Sequence, residues 1–337
     1  IRTSGLGNTE YNLYRLVQAA RLRKFKDGKF IIAYDVRSIS VIENYLNARL
    51  YLYKYLVCHH RVVKTDILLK SVVLELAKKH LRSRAKIDKP KNHALIPQDI
   101  SGLWHALKFA ASNNQYFNHL LQWVDSWLLS ILREEFFSGS GQNERLEELV
   151  ANTKKYYSLI KRYGDFAEIE DSAEAILRDA YAKCLSEIKK RGNEQEVDAI
   201  NKLQARGASV LRQLYETSQF DFLFGQEEFT SLVEGAARSA IQGTHPGSDT
   251  IFQFKKVDPG MKPTKVPWIV NGGLLEPLGK HSNIEDTLFG VSYKNPLFYI
   301  FVNKEGIDYQ AVRKQVGESI ATNLVRELNK YLAKQAK

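Results

Sequence analysis

The sequence predicts a mainly α protein with a β-hairpin near its start, a helical middle lobe and a small α+β C-terminal lobe. Three observations predict it. Residues 37–82 run for two helix lengths without Gly or Pro. Amphipathic helical patterns return from 143 to 242, punctuated by glycine. After residue 248 the pattern turns to short alternating runs, with Gly and Pro between them and one long helix last. The 337 residues are enough for one large domain or two, each with a buried core. Breaks at Ser138–Gly141 and at His245-Pro246-Gly247 divide the chain into residues 1–137, 142–243 and 248–337.

Taken in order, Glu10 to Leu22 reads as a helix with Tyr11, Leu13, Leu16 and Val17 near one face. Lys24–Tyr34 reads as a hairpin, because Asp27-Gly28 supplies the positive φ of a tight turn. Phe25, Phe30, Ile31 and Ile32 are expected to cover its core face. The next helix carries Ile42, Leu46, Leu50, Tyr53, Leu56 and Val57 at helical spacing and ends at His59-His60. A second follows from Val62 to Leu81. Pro97–Ser112 and Tyr116–Phe137 read as further helices, the latter aromatic-rich and expected to be core. In the middle lobe, helices are expected over Asn143–Tyr163 and roughly 170–190, 194–218 and 226–242. Their arginines, Arg212 among them, and the pairs Glu134-Glu135 and Glu147-Glu148 read as solvated faces. Strands are expected at Thr250–Val257, Trp268–Val270, Leu288–Tyr293 and Leu297–Val302, then a helix over Asp308–Leu332. Phe298, Ile300 and Val302 alternate with Tyr299 and Phe301, so that strand should be covered on both faces.

Arg49 is the one charge in the apolar stretch Ala48–Leu50 of the first long helix. A buried arginine needs an anionic partner. A phosphate is one candidate and a core carboxylate is another. The net charge of +11 asks for anionic partners such as nucleotides, nucleic acid or an acidic protein. Much of it lies in residues 78–91, where Lys78, Lys79, Arg82 and Arg84 begin a run of seven cations against one Asp. That run is a candidate nucleic-acid contact, or a helix end whose cations offset the dipole. No G-x-S-x-G elbow, Walker loop or CxxC pair is present. Cys58 and Cys184 sit apart in helical patterns and read as reduced core thiols, which suits a cytoplasmic protein. No apolar run reaches membrane-spanning length.

Three elements also resemble a known family in order and spacing. Ser4-Gly5-Leu6 with Glu10-Tyr11 and Leu16 is similar to that family's loop and helix. Arg23–Ala33 is similar to its short hairpin. Ala48-Arg49, the aromatics that follow, and His59-His60 ten and eleven places on are similar to its long helix. The family is that of the HD-superfamily metal-dependent phosphohydrolases, in particular the deoxynucleotide triphosphohydrolases of the SAM-and-HD-domain type. The resemblance is carried by the first 80 residues, and strands followed by a helix at the C-terminus also look like that group. It implies an HD-like helical core and hydrolysis of nucleotides or deoxynucleotides. It implies that Arg49 binds substrate phosphate. Lys54, His59 and His60 would face a nucleotide effector between subunits, so a homo-oligomer is expected. It implies a divalent metal. This sequence holds no His-Asp dipeptide, so the metal-binding segment is expected upstream of Ile1. Val57 stands where the family places a tyrosine near the sugar. The alternative expectation is a non-catalytic nucleic-acid-binding or scaffold module of HD-like ancestry, contacting nucleic acid through Lys78, Lys79, Arg82 and Arg84.

Overall fold

The computed structural model describes residues 13–25, 28–83, 125–138, 143–190, 194–218, 223–255 and 267–335. The expected helix at Pro97–Ser112, the first part of that at Tyr116–Phe137, the Ser4–Tyr11 segment, and Arg84 lie outside them. The protein is mostly helical with small sheets. Contacts gather it into two compact units. One takes in Ile1–Val63, Ser158–Val302 and Gly306–Lys337; the other takes in Lys64–Tyr157 and Asn303–Glu305.

In the first unit α1 (Leu13–Ala19) runs directly into a hairpin, β1 (Ala20–Lys24) and β2 (Phe30–Asp35). The helix therefore ends three residues before the expected Leu22. The turn closes through Phe25 N–H to Lys29 O at 2.7 Å and Gly28 N–H to Phe25 O at 2.9 Å. Gly28 takes φ +85°, which a side chain would strain. The helix α2 (Ile39–Leu52) follows a single 3₁₀ turn that Asp35 caps. Later come β3 (Trp268–Asn271) and β4 (Leu274–Pro277), joined at Gly272-Gly273, both with positive φ. The sheet order is β1-β2-β3-β4, with β2 and β3 parallel. Ile42, Leu46 and Leu50 of α2 share a core with Cys58, Ile269, Leu278, Ile284 and Leu288. The early hairpin and α2 are thus built together with residues far later in the chain, as the parallel pair Tyr34↔Ile269 requires. One expectation is corrected: Leu288–Tyr293 is helical, within Ile284–Tyr293. Ile284 and Leu288 are buried four residues apart, and the Ser282 hydroxyl accepts the Ile284 N–H at 3.1 Å at its start.

A larger core in the same unit is made by four helices and a second sheet. They are Tyr163–Lys190, Val210–Ser218, Gln226–Thr244 and Tyr309–Gln335, with strands Tyr157–Ser158, Thr250–Phe254 and Phe298–Val302 in the order first-third-second. The strand Phe298–Val302 is buried at every position, as its two-sided apolar pattern predicts. The expected helix over 194–218 is two, Glu194–Ala205 and Val210–Ser218, because Gly207 turns the chain at φ +69°. Residues read from the sequence as a middle helical lobe and a separate α+β lobe surround this one core. Gly317 of the last helix lies so close to Tyr163–Lys190 that a Cβ would stand 2.6 Å from the Ile169 carbonyl oxygen.

The second unit contains most of the helix α3 (His60–Ser83), with helices Asp125–Phe137 and Glu144–Ala151. Val72, Leu76, Leu132 and Leu146 are its core. The expected helix Asn143–Tyr163 stops at Ala151, where Asn152 adopts a left-handed conformation at φ +54°. Glu148, expected to be solvated, turns the chain there. It accepts the N–H groups of Lys155 (3.0 Å) and Tyr156 (2.6 Å) and pairs with Lys64.

Candidate functional site

The sequence-predicted residues Arg49, Lys54, His59 and His60 lie along the end of α2 and the start of α3. Between these helices Tyr53–Val57 forms a turn of π-helix, with Cys58 N–H donating to Tyr53 O at 2.8 Å. Such turns concentrate at functional sites because the extra residue breaks the regular ladder. The single helix read from the sequence is therefore two segments with a widened turn between them. Leu56, expected on the apolar face, is left 38% exposed, while Val57 packs on the core and Cys58 enters it.

Arg49 stands between the buried Ala48 and Leu50 and is itself half-buried. Its Nη2 donates to the Tyr53 hydroxyl at 3.2 Å, and its guanidinium carbon lies 5.0 Å from the centre of that ring. Its Nε is buried without a hydrogen-bond partner. No carboxylate pairs with it among the described residues. The core-carboxylate alternative is thus not the one found, and an acceptor for a fixed N–H is missing. Leaving a buried donor unmatched costs about 1–3 kcal/mol, a cost that an anion at Nε would remove. Tyr53, which accepts from a cation, keeps its own O–H to donate. Sequence reading placed Tyr53 only in the apolar pattern. The i, i+4 spacing from Arg49 is the signal that points to it.

Lys54 does not join Arg49; its Nζ lies 5.2 Å from the centre of the Tyr55 ring. Tyr51 and Tyr55 stack at 6.0 Å, both exposed. His59 and His60 sit together, ring centres 4.4 Å apart, and the His59 Nδ1 accepts from the Arg61 N–H at 3.4 Å. Lys78, Lys79 and Arg82 fall within α3, but their side chains, like Arg84, are outside what the structure describes.

The remaining chemistry-bearing groups are structural. Cys58 is buried, and burial pushes its thiol up to about 11, so it is no nucleophile at neutral pH. Its carbonyl accepts the Tyr299 hydroxyl. Cys184 is also buried and free. Arg212, expected on a solvated face, is buried. It pairs with Glu170 at 2.7 Å and donates to the Asn295 carbonyl at 2.6 Å, and Ser209 donates to Glu170 at 2.6 Å.

Among the described residues no group of three or more His, Cys, Asp or Glu side chains could hold a metal ion. Among the described residues the side chains form no site that fits the divalent metal the resemblance implies. No helix of the described residues is long and apolar enough to cross a membrane. Comparison with family models, with curated proteins and with solved structures finds no match to the chain.

Proposed function

We propose that this chain is the substrate-phosphate-binding part of an HD-type phosphohydrolase acting on nucleotides or deoxynucleotides. The observation that carries the reading is the buried Nε of Arg49, which among the described residues has no acceptor while the guanidinium has no carboxylate. A phosphate group supplies both acceptor and charge. Tyr53 holds the guanidinium from one side and offers a hydroxyl proton to a second phosphate oxygen. In this reading the chain's own residues bind and orient the phosphate, and neutralise charge on it. The resemblance implies a divalent metal held by a His-Asp pair, and residues 1–337 contain no such dipeptide. The protein's net charge of +11 favours the same class of ligand. Lys54, His59 and His60 are the residues at which the resemblance puts a second nucleotide between subunits.

The test is the affinity of fluorescent deoxynucleoside triphosphates for the protein and for Arg49→Met and Arg49→Lys. A charge-assisted hydrogen bond is worth about 1.5–3 kcal/mol, so Arg49→Met is expected to weaken binding about 10–100-fold. Arg49→Lys keeps the charge without the fork and should fall between. Triphosphate affinity unchanged in Arg49→Met, with the variant still folded, contradicts the reading.

A further inference from the structure

The β1–β2 hairpin has a face that the nucleotide reading does not use. Cross-strand partners share a side of the sheet, and the pairs Ala20↔Tyr34, Leu22↔Ile32 and Lys24↔Phe30 lie on one side. At one end of this side Tyr34 packs on the α2 core beside Ile269. Towards the turn the same side is open: Leu22 is 68% exposed, Phe30 66% and Ile32 61%. This corrects the expectation that Phe30 and Ile32 cover a core. Three large apolar side chains standing together in water call for a partner.

The edge supplies the geometry of that partner. Among the described residues β1 is the end strand of its sheet, with β2 its one neighbour, so its outer row of backbone N–H and C=O groups is open to another strand. Charge supplies the chemistry. The edge strand reads Ala-Arg-Leu-Arg-Lys, with Arg21 and Arg23 on the side opposite Leu22. Arg23 and Lys24 have no acidic partner among the described residues, whereas Arg21 bonds the carbonyls of Gln18 and Ala20. A second copy of β1 would set these cations against their own kind, which is unfavourable. A membrane is disfavoured because the exposed apolar groups lie on one side of the strands, whereas Gly28 and Lys29 at the turn are exposed and carry no apolar side chain.

We infer that the β1 edge takes up an extended acidic peptide of another protein by strand addition. Its alternate apolar side chains would pack on Leu22 and extend the apolar side that Leu22 shares with Ile32 and Phe30, and its intervening carboxylates would meet Arg21 and Arg23. This is the recognition mode in which main-chain hydrogen bonds give affinity and alternate side chains give specificity. It is independent of Arg49.

The experiment uses the full chain and a fluorescein-labelled peptide of about eight residues that alternates glutamate with isoleucine and valine. Controls are its scrambled form, its alternately N-methylated form, and a lysine-for-glutamate form. Phosphatidylserine vesicles are a parallel probe. Micromolar binding of the acidic peptide, lost on N-methylation and at least tenfold weaker for Arg21→Glu/Arg23→Glu, is expected. The lysine peptide should in turn prefer that variant. Circular dichroism checks that the exposed substitutions leave the fold intact. Equal binding of the scrambled and N-methylated peptides overturns the proposal. So does vesicle binding that depends on Leu22 and Ile32 without peptide binding, and so does dimerisation that Leu22→Lys abolishes.

Discussion

At the scale of single residues, burial sets what each ionisable group can do. Arg49, half-buried, and Arg212, buried, show two outcomes for an arginine whose guanidinium is drawn in from water. Arg212 has Glu170, the Asn295 carbonyl and the rings of Phe166 and Tyr163 around it. Arg49 has one tyrosine and an unmatched Nε. Removing one partner of a buried pair leaves an uncompensated charge, so Arg212→Ala should cost about 3–5 kcal/mol in urea unfolding. Arg212→Met with Glu170→Met should recover much of that loss, since an apolar pair of similar volume is often neutral. Cys58 gives a prediction with its sign fixed. Burial raises its thiol to about 11, so at pH 8 roughly one molecule in a thousand carries the reactive thiolate. A disulfide reagent such as Ellman's should leave both Cys58 and Cys184 unmodified in the native protein and titrate both after unfolding in denaturant. Rapid native reaction of either thiol contradicts the packing described.

At the scale of elements, periodicity marks the helices, while their ends are decided by features with no period. The two-sided pattern of Phe298–Val302 is legible because a strand buried on both faces has no polar position to hide. The helix at Ile284–Tyr293 reads as a strand because Phe289, Val291 and Tyr293 alternate with Gly290 and Ser292 at a period of two, while the anchor Ile284 lies one turn before Leu288. The end of Glu144–Ala151 depends on one left-handed asparagine and on Glu148 turning back to Lys64, a pairing 84 residues apart that no local window contains. The π turn at Tyr53–Val57 has the composition of ordinary helix, so its presence and the partnership of Arg49 with Tyr53 emerge only from the structure. Arg49 itself is legible, as a lone charge in an apolar face. Helix packing offers the sharpest test at this scale. Alanine normally stabilises a helix over glycine by about 1 kcal/mol. At Gly317 the new methyl would press on the Ile169 carbonyl and on Ser172, so Gly317→Ala should instead destabilise by about 1–3 kcal/mol. A rise in melting temperature would show that the two long helices are not in such close contact.

At the scale of the whole molecule, a chain with 49 basic and 38 acidic residues presents its charge to anions, yet charge alone does not choose among them. Salt separates the choices. Binding of a triphosphate through one arginine and a tyrosine should weaken only modestly between low and physiological salt, whereas a contact along the Lys78–Arg84 run to nucleic acid should lose affinity steeply, by the release of many counterions. The fold packs α2 on a core that includes Ile269 of the strand paired with β2, so the helix carrying Arg49 is held by parts of the chain far apart in sequence. Residues 1–137 alone would lack half of the core that holds it, and the binding measurements need the entire chain. The most direct measurement is a crystal structure of the protein with a non-hydrolysable deoxynucleoside triphosphate. The account predicts a phosphate oxygen accepting from Arg49 Nε, with the Tyr53 hydroxyl beside it. A nucleotide bound elsewhere, with Arg49 Nε paired to a carboxylate of the chain, would contradict it.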